Sequence, residues 1–317
     1  MASGVIRLAL PPGLRYVLGR IAQLVPTLVG VSLFVFILIR LSGDPTSVLL
    51  PADANEVERA AFRQAYGLDR PILEQYVRYV GRLLQGDFGV SLFQGEPALS
   101  LVLGRLAATV QLAATAIGIV ILVGIPVGVA AAVWRGTIVD YITLSLVALG
   151  QSVATFWLGL MFILLFAVSW RLVPPSGYGS AVQLILPAIT LAAYYLAVAA
   201  RLTRSGMLEV LAQDYIRTAR AKGLSERLTV FRHGLRNAVI PIVTILGLQI
   251  GELLAGSVVT ETVFAWPGVG TLVLDAILRR DYPLVQAVII VVAVIYAVVN
   301  LAVDLLYAWI DPRVRYQ

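Results

Sequence analysis

The chain has 317 residues and a net charge of +6; 59% of them are hydrophobic and only 13% charged. Soluble domains carry about 25% charged residues, so this composition describes a membrane protein and excludes an ordinary soluble enzyme. With no cysteine and one histidine, the chain lacks the ligands of a disulfide, a thiolate metal site or a histidine metal centre, and its positive residues are sorted along the sequence instead of forming the basic face that binds nucleic acid.

The pattern predicts an all-α polytopic protein with six transmembrane helices. Spans fall near Ile21–Ile39, Thr109–Val133, Tyr141–Val168, Leu184–Ala200, Ala238–Thr260 and Leu284–Ile310, each long enough for a hydrocarbon core that takes about 20 residues. Residues 1–41 form a short N-terminus and the first span. That span is too long for a signal-peptide core and no small-residue cleavage site follows it, so it reads as a retained anchor.

Residues 42–105 form a helical insertion. Asp53 with Glu56 resembles a capping box, with Val57, Ala60, Ala61 and Ala65 at helical spacing until Gly67. Asp69 and Pro71 open a second helix with Ile72, Tyr76, Val80, Leu83 and Leu84 on one face. Two amphipathic helices packed on the membrane rim are expected, since the segment is too small to bury a large core.

Residues 106–317 form a five-span core interrupted by a basic loop, 201–236. The loop holds eight of the 24 Lys and Arg residues, including the only lysine, Lys222, and the only histidine, His233. Met207, Leu208, Leu211, Tyr215, Ile216 and Ala219 recur on one helical face. Gly223 is a natural residue to end that helix, with Arg217, Arg220 and Lys222 suiting its C-terminal dipole. Ser225 can cap a second helix with apolar positions Leu228, Phe231 and Leu235. Such a loop is either a solvated anchor or a docking element; the small residues Ala219, Ala221 and Gly223 would let another surface approach the backbone, and spacing alone leaves both readings open. Between the last two spans, residues 264–270 form a turn, Thr271–Arg280 a short helix, and Asp281 with Pro283 opens the final span, which Asp311-Pro312 ends.

With both termini cytoplasmic, the inner segments carry a net +9 and the outer ones −1, the bias the positive-inside rule requires. The tryptophans near span ends, Trp134, Trp170, Trp266 and Trp309, fit an interfacial belt.

Asp214-Tyr-Ile-Arg-Thr-Ala-Arg-Ala-Lys-Gly-Leu-Ser225, followed by His233-Gly-Leu-Arg-Asn-Ala-Val-Ile-Pro241, resembles the signature loop of permease subunits of ATP-binding-cassette importers, in the dipeptide, oligopeptide and nickel family. The wider signature is Glu-Ala-Ala, three residues, then Gly; Arg217 and Thr218 replace its first two positions, as is usual in the peptide branch, while Ala219 and Gly223 match. Further blocks occur in order along nearly the whole chain: Gly43-Asp-Pro45, Gly67-Leu-Asp-Arg-Pro71, Gly86-Asp-Phe-Gly89, Glu261-Thr-Val-Phe-Ala-Trp-Pro-Gly268 and Asp304-Leu-Leu-Tyr-Ala-Trp-Ile-Asp-Pro-Arg313. The long insertion after the first span resembles the first of the two permeases of such systems. Ala154 departs from the family, which often has proline there; the difference bears on a kink in the third span, not on the fold.

The resemblance implies a type I importer permease fold and a subunit that does no chemistry. It would pair with a second permease, receive substrate from an external binding protein and be moved by two ATPase subunits, in the bacterial or archaeal cytoplasmic membrane. ATP and Mg would sit on those partners, with no cofactor on this chain, and the absence of a G-x-x-x-x-G-K-[ST] loop agrees. The ATPase-coupling residues it implies are Asp214, Tyr215, Arg217, Thr218, Ala219, Ala221, Lys222, Gly223 and Leu224. Such permeases serve dipeptides, longer peptides, glutathione, nickel chelates and some oligosaccharides, the choice lying largely with the binding protein.

Polar residues within the spans are candidates for the path: Gln151, Ser152, Gln249, Glu252 and Asn300. Glu252 is either a path-lining acid that meets a cationic substrate group or a carboxyl hydrogen-bonded between helices. Asp304 is expected to pair with an inner arginine. Gln111, Thr115, Gln151, Ser152 and Asn300 also suit interhelical packing. The alternative function is an ion-coupled secondary transporter, with Glu252 and Asp304 carrying protons. A serine protease built on Gly150-Gln-Ser152 fails because the only histidine lies in the basic loop.

Overall fold

The computed structural model describes residues 12–41, 50, 55–65, 67 and 69–310. Asp53, Gly43-Asp-Pro45, Asp311-Pro312, Arg313 and the Trp309 side chain lie outside the described residues. Those described are helical, with no strand beyond a single bridge between Val90 and Pro97. The helices are α1 (Pro12–Leu41), α2 (Glu56–Ala65), α3 (Ile72–Leu84), α4 (Ala98–Val133), α5 (Ile138–Ser152), α6 (Thr155–Ser169), α7 (Ala181–Leu211), α8 (Asp214–Ala221), α9 (Arg236–Val263), α10 (Val269–Leu278) and α11 (Tyr282–Ile310). Three are long and apolar enough to cross a membrane: α4, α7 and α11 over Tyr282–Leu305; α5 with α6 would make a fourth. Shorter apolar stretches run through α1, Ala22–Leu38, and α9, Ile245–Leu254.

The third span, Tyr141–Val168, where the sequence left a kink open at Ala154, is bent by 107° between α5 and α6. No proline is needed, because Val153 and Ala154 both adopt extended backbone. Each half has its own seat. Gly150 of α5 lies against Ala197 Cβ and the Ala193 carbonyl of α7, whereas Gly159 of α6 lies between Thr190 of α7 and Val263 and Phe264 at the end of α9.

Small residues bring the long helices together, as lipid-embedded packing favours. Gly124 and Gly128 of α4 face Leu196, Ala199, Ala200 and Thr203 of α7; a Cβ on Gly128 would stand 2.5 Å from the Ala200 carbonyl oxygen and 2.6 Å from Thr203 Cβ. The turn before this crossing, Val120–Gly124, widens to a π-helix. Pro126 follows, and its ring and missing N–H prevent the regular bond to residue 122. Gly247 and Gly251 of α9 make room for Val303 and Tyr296 of α11. As α9 ascends, α11 descends. Arg20 of α1 meets Asp304 of α11 at 3.3 Å, the pairing with an inner arginine expected for Asp304, so the start of α1 and the end of α11 share one end of the bundle with the basic loop.

At the opposite end, α2 is capped by Asn55. The Glu58 N–H donates to Asn55 Oδ1 at 2.8 Å and the Asn55 N–H donates to Glu58 Oε2 at 3.0 Å, a capping box displaced two residues from the expected one. Gly67, with φ +64°, follows α2 as predicted. Helix α3 rests on α1 through Tyr76, which hydrogen-bonds Ser32, and through Tyr79, which stacks on Phe36. Helix α10 starts and ends two residues earlier than the sequence suggested. Asp281 opens α11, its carbonyl accepting from the Val285 N–H, while its buried carboxylate also accepts from Ser91 Oγ at 2.5 Å.

Candidate functional site

The basic loop folds into an elbow. Helix α7 does not run on through Tyr215 as the apolar periodicity suggests: it stops at Leu211, and Gln213, in extended backbone, begins α8. The break lets Ile216 and Ala219 turn inward, where they are buried, while Met207 is buried on α7. Helix α8 ends in a Schellman motif around Gly223, which takes φ +81°. The Leu224 N–H donates to the Ala219 carbonyl at 3.3 Å and the Gly223 N–H to that of Arg220 at 2.9 Å. This left-handed conformation suits glycine, and the place a Cβ would occupy has no neighbour within 4 Å.

Ser225 starts the return helix, its Oγ accepting from the Leu228 N–H at 3.4 Å. Across the turn, Arg220 grips Glu226 with two hydrogen bonds, Nε to Oε2 at 3.1 Å and Nη2 to Oε1 at 2.6 Å. The guanidinium holds the Glu226 carboxyl below its usual range, and the carboxylate pushes Arg220 up in return. Thr229–Leu235 then widens into a π-helix before α9. The widening turns out two of the three expected apolar positions, while Leu235 packs against the core as expected. Thr229, Val230 and Gly234 point inward, whereas Phe231 is 55% exposed and Leu228 37%. A Cβ on Gly234 would crowd Met207 and Leu211, so this glycine seats the π-turn on the end of α7.

The elbow's outer surface is therefore Asp214, Tyr215, Arg217, Thr218, Arg220, Ala221, Lys222 and Gly223, with Leu224 half-buried and Ala219 beneath it. The Tyr215 hydroxyl is fixed by a hydrogen bond from Asn237 Nδ2 at 2.9 Å, and the same amide donates to the His233 carbonyl. A second clamp steadies the neighbouring connection. Arg204 of α7 donates from Nε and Nη2 to Asp140 of α5 at 2.6 and 2.9 Å, and the Gly136 N–H donates to the same carboxylate. This bidentate pair was counted in the sequence only as loop charge.

The path candidates do not converge in one cavity. Ser152 is exposed at the α5–α6 bend and its hydroxyl donates back to the Ala148 carbonyl; Gln151 beside it is half-buried. Glu252 is exposed on α9, whereas Gln249 is buried and its Oε1 finds no donor among the described residues. Asn300 lines a 310 Å³ cleft between α1 and α11 with Arg20, Gln23, Thr27 and Asp304.

A buried constellation at the opposite end went unrecognised in the sequence. Glu261, at the end of α9, is fully buried and accepts from Thr109 Oγ1 at 2.7 Å, the Gly270 N–H at 2.7 Å and the Thr271 N–H at 3.1 Å. The carboxylate thus caps the N-terminus of α10, where the dipole favours an anion. Gly268 and Gly270 leave no room for a Cβ beside it. Trp266 is not interfacial as expected. It is 1% exposed, its indole N–H donates to the Ala108 carbonyl at 2.9 Å, and Tyr178 packs edge-on against it. Trp134 and Trp170 are exposed, as a belt requires. The Glu261-to-Gly268 motif carried the signal, but its glutamate looked like one more loop acid.

The described residues thus make an all-helical chain whose basic loop folds into an exposed elbow. Residues 124–316 match the family described as "Binding-protein-dependent transport system inner membrane component", and the chain belongs to that family. It is 41% identical over 337 residues to the dipeptide transport system permease protein DppB of Escherichia coli (strain K12), covering 96% of this chain and 99% of that one. It is 43% identical over 305 residues to the glutathione transport system permease protein GsiC of Salmonella paratyphi A (strain ATCC 9150 / SARB42), covering 96% and 100%. Among solved structures, the inward-facing MetNI methionine ABC transporter shares the fold, with a TM-score of 0.55 at 19% identity over 68% of this chain and 99% of that one. The chain is thus a non-catalytic permease subunit of an ATP-binding-cassette importer, its ATPase activity carried by separate subunits, and the ion-coupled alternative is set aside.

Proposed function

We propose that the chain is the first of two permeases in a bacterial peptide importer and that α8, with its Gly223 elbow, is the element an ATPase subunit grips. In this reading the chain crosses the cytoplasmic membrane six times, with both termini and the elbow inside, and encloses the path with a related permease. Two ATPase subunits hold ATP and Mg, and an external binding protein delivers a di- or oligopeptide. The peptide assignment is supported by relatives whose names specify dipeptide and glutathione transport. The sidedness is supported by the net +9 and −1 of the two sets of loops.

The coupling role rests on one observation: the elbow exposes Asp214, Tyr215, Arg217, Thr218, Ala221, Lys222 and Gly223 while Ile216 and Ala219 tie it to the chain behind. Motion imposed on α8 is then passed to α7 and α9. Ala219 contributes by letting α8 sit close, and Leu224 by closing the turn.

Gly223→Trp should abolish transport and uncouple ATP hydrolysis from substrate while leaving membrane insertion intact. Because Gly223 has positive φ, Ala221→Trp is the partner experiment: it adds similar bulk to ordinary helical backbone and should uncouple as strongly. Unchanged substrate-stimulated ATPase activity in both reconstituted variants would overturn the role. Glu252, Ser152, Gln151, Gln249 and Asn300 remain candidates for the path, and the exposed carboxyl of Glu252 would be the one to meet a cationic peptide group.

A further inference from the structure

Helix α3 presents more apolar surface than its neighbours cover. At about 100° per residue, Ile72, Tyr76, Tyr79 and Leu83 share one face, Leu73, Val77 and Leu84 the adjoining flank, and Glu74, Arg78 and Arg82 the far side. The tyrosine face is occupied by α1: Tyr76 hydrogen-bonds Ser32 at 2.9 Å, its ring meets Phe36 edge-on at 5.4 Å, and Tyr79 stacks on Phe36 at 5.9 Å. Among the described residues nothing covers the flank, with Leu73 74% exposed, Val77 62% and Leu84 85%.

What lies against that flank is decided by depth. Phe36 and Ser32 precede the end of α1 at Leu41 by roughly 7 and 13 Å, at a rise of about 1.5 Å per residue. Both fall inside the apolar stretch Ala22–Leu38. Phe36 lies two residues, about 3 Å, from the limit of that stretch at Leu38, and Ser32 six residues, about 9 Å. Helix α3 thus meets α1 just inside the edge of the hydrocarbon at Phe36, while the Tyr76 hydroxyl reaches deeper. The exposed apolar residues of α1 in the same stretch, Leu33, Phe34 and Ile37, extend the surface inward without a break in character. On the charged side, Arg78 and Arg70 share Glu74 at 2.9 and 2.6 Å, and their stems can reach toward headgroups.

We propose that α3 is a membrane-surface helix whose Leu73–Val77–Leu84 flank is seated in the lipid at the edge of the bilayer, held at that depth by the Tyr76–Ser32 and Tyr79–Phe36 contacts. The inference rests on α1 crossing the membrane. The pattern of one wide apolar arc beside a charged face is that of an interfacial helix, and here a neighbouring helix fixes its level as well. The insertion is then a strap lying in the bilayer surface around the first crossing, so part of the subunit's hold on lipid lies outside its crossings.

The chain has no cysteine, so single nitroxide labels can be placed without removing native thiols. The experiment uses the complete transporter in nanodiscs of phosphatidylethanolamine and phosphatidylglycerol, labelled in turn at positions 73, 77 and 84, with positions 78 and 34 as references. Collision with oxygen should exceed collision with a water-soluble nickel chelate several-fold at positions 73, 77, 84 and 34, and the order should reverse at position 78. Preferential contact with the chelate at the three flank positions would overturn the proposal, and so would protection from both colliders, the signature of a covering protein subunit. If position 34 also reads as aqueous, it is the membrane crossing of α1 that fails; if position 34 is in lipid and the flank is not, the strap alone fails.

Discussion

The two ends of this molecule handle a glutamate in opposite ways. At one end Glu261 is sealed in the interior, satisfied by two backbone N–H groups and a threonine hydroxyl and surrounded by glycines that admit nothing larger. At the other, Glu226 is about half exposed and meets Arg220 across a turn whose remaining surface faces outward. The first arrangement closes α4, α9 and α10 on one another and leaves little for another chain to add. The second leaves backbone and side chains available at Gly223. A closed interior and an exposed turn are therefore separated along the bundle axis.

The contrast can be broken most severely at the sealed end. Glu261→Ala strips the acceptor from Thr109, Gly270 and Thr271 together, and since each stranded buried donor costs about 1–3 kcal/mol, a loss of about 3 kcal/mol or more is expected. A large fall in the melting temperature of the purified transporter would register it, and an unchanged value would mean that the site admits water. Between the two ends, Glu252→Gln should leave that melting temperature unchanged, because the side chain is exposed within the chain. It should reduce uptake of cationic peptides more than neutral ones; equal reduction of both would remove Glu252 from the path.

The smallest effect belongs to the elbow. Arg220 depresses the Glu226 carboxyl below its usual 4.5, so the pair's stabilisation is complete above that value and fades as the pH falls through the lower, folded one. Both side chains are substantially exposed, so the contribution at neutral pH stays within about 1 kcal/mol. Glu226→Gln should therefore differ slightly from the parent near neutrality, and the difference should vanish on acidification below the folded value. A difference that grew with acid would reverse the assignment.

What the sequence revealed of the elbow was its local chemistry. Gly223 as the helix stop, Ser225 as the next cap and the cations at the end of α8 are all decided within a turn or two of backbone, and all stand where expected. The break between α7 and α8 was hidden because Ala212 and Gln213 carry no turn signal; burial of Ile216 and Ala219 against the return helix favours it. Leu228 and Phe231 pointed the wrong way because a period of 3.6 cannot anticipate a π-turn, which Gly234 makes possible by fitting against Met207. The bend at Val153–Ala154 was equally hidden, since it lets the second half reach the distant end of α9 at Val263 and Phe264 while both halves keep contact with α7. Glu261 and Trp266 were misplaced for a related reason: a carboxylate or an indole can enter a core once donors or acceptors from distant segments await it, and Thr109 and Ala108 lie more than a hundred and fifty residues away.

The crossing of Gly124 and Gly128 over Ala199, Ala200 and Thr203 also limits how this subunit can change shape. Advancing α4 along α7 by one position would carry Val127 or Val129 into a gap that cannot admit a single methyl group. The two helices are therefore closely meshed at this crossing, and sliding one along the other would require both to separate first.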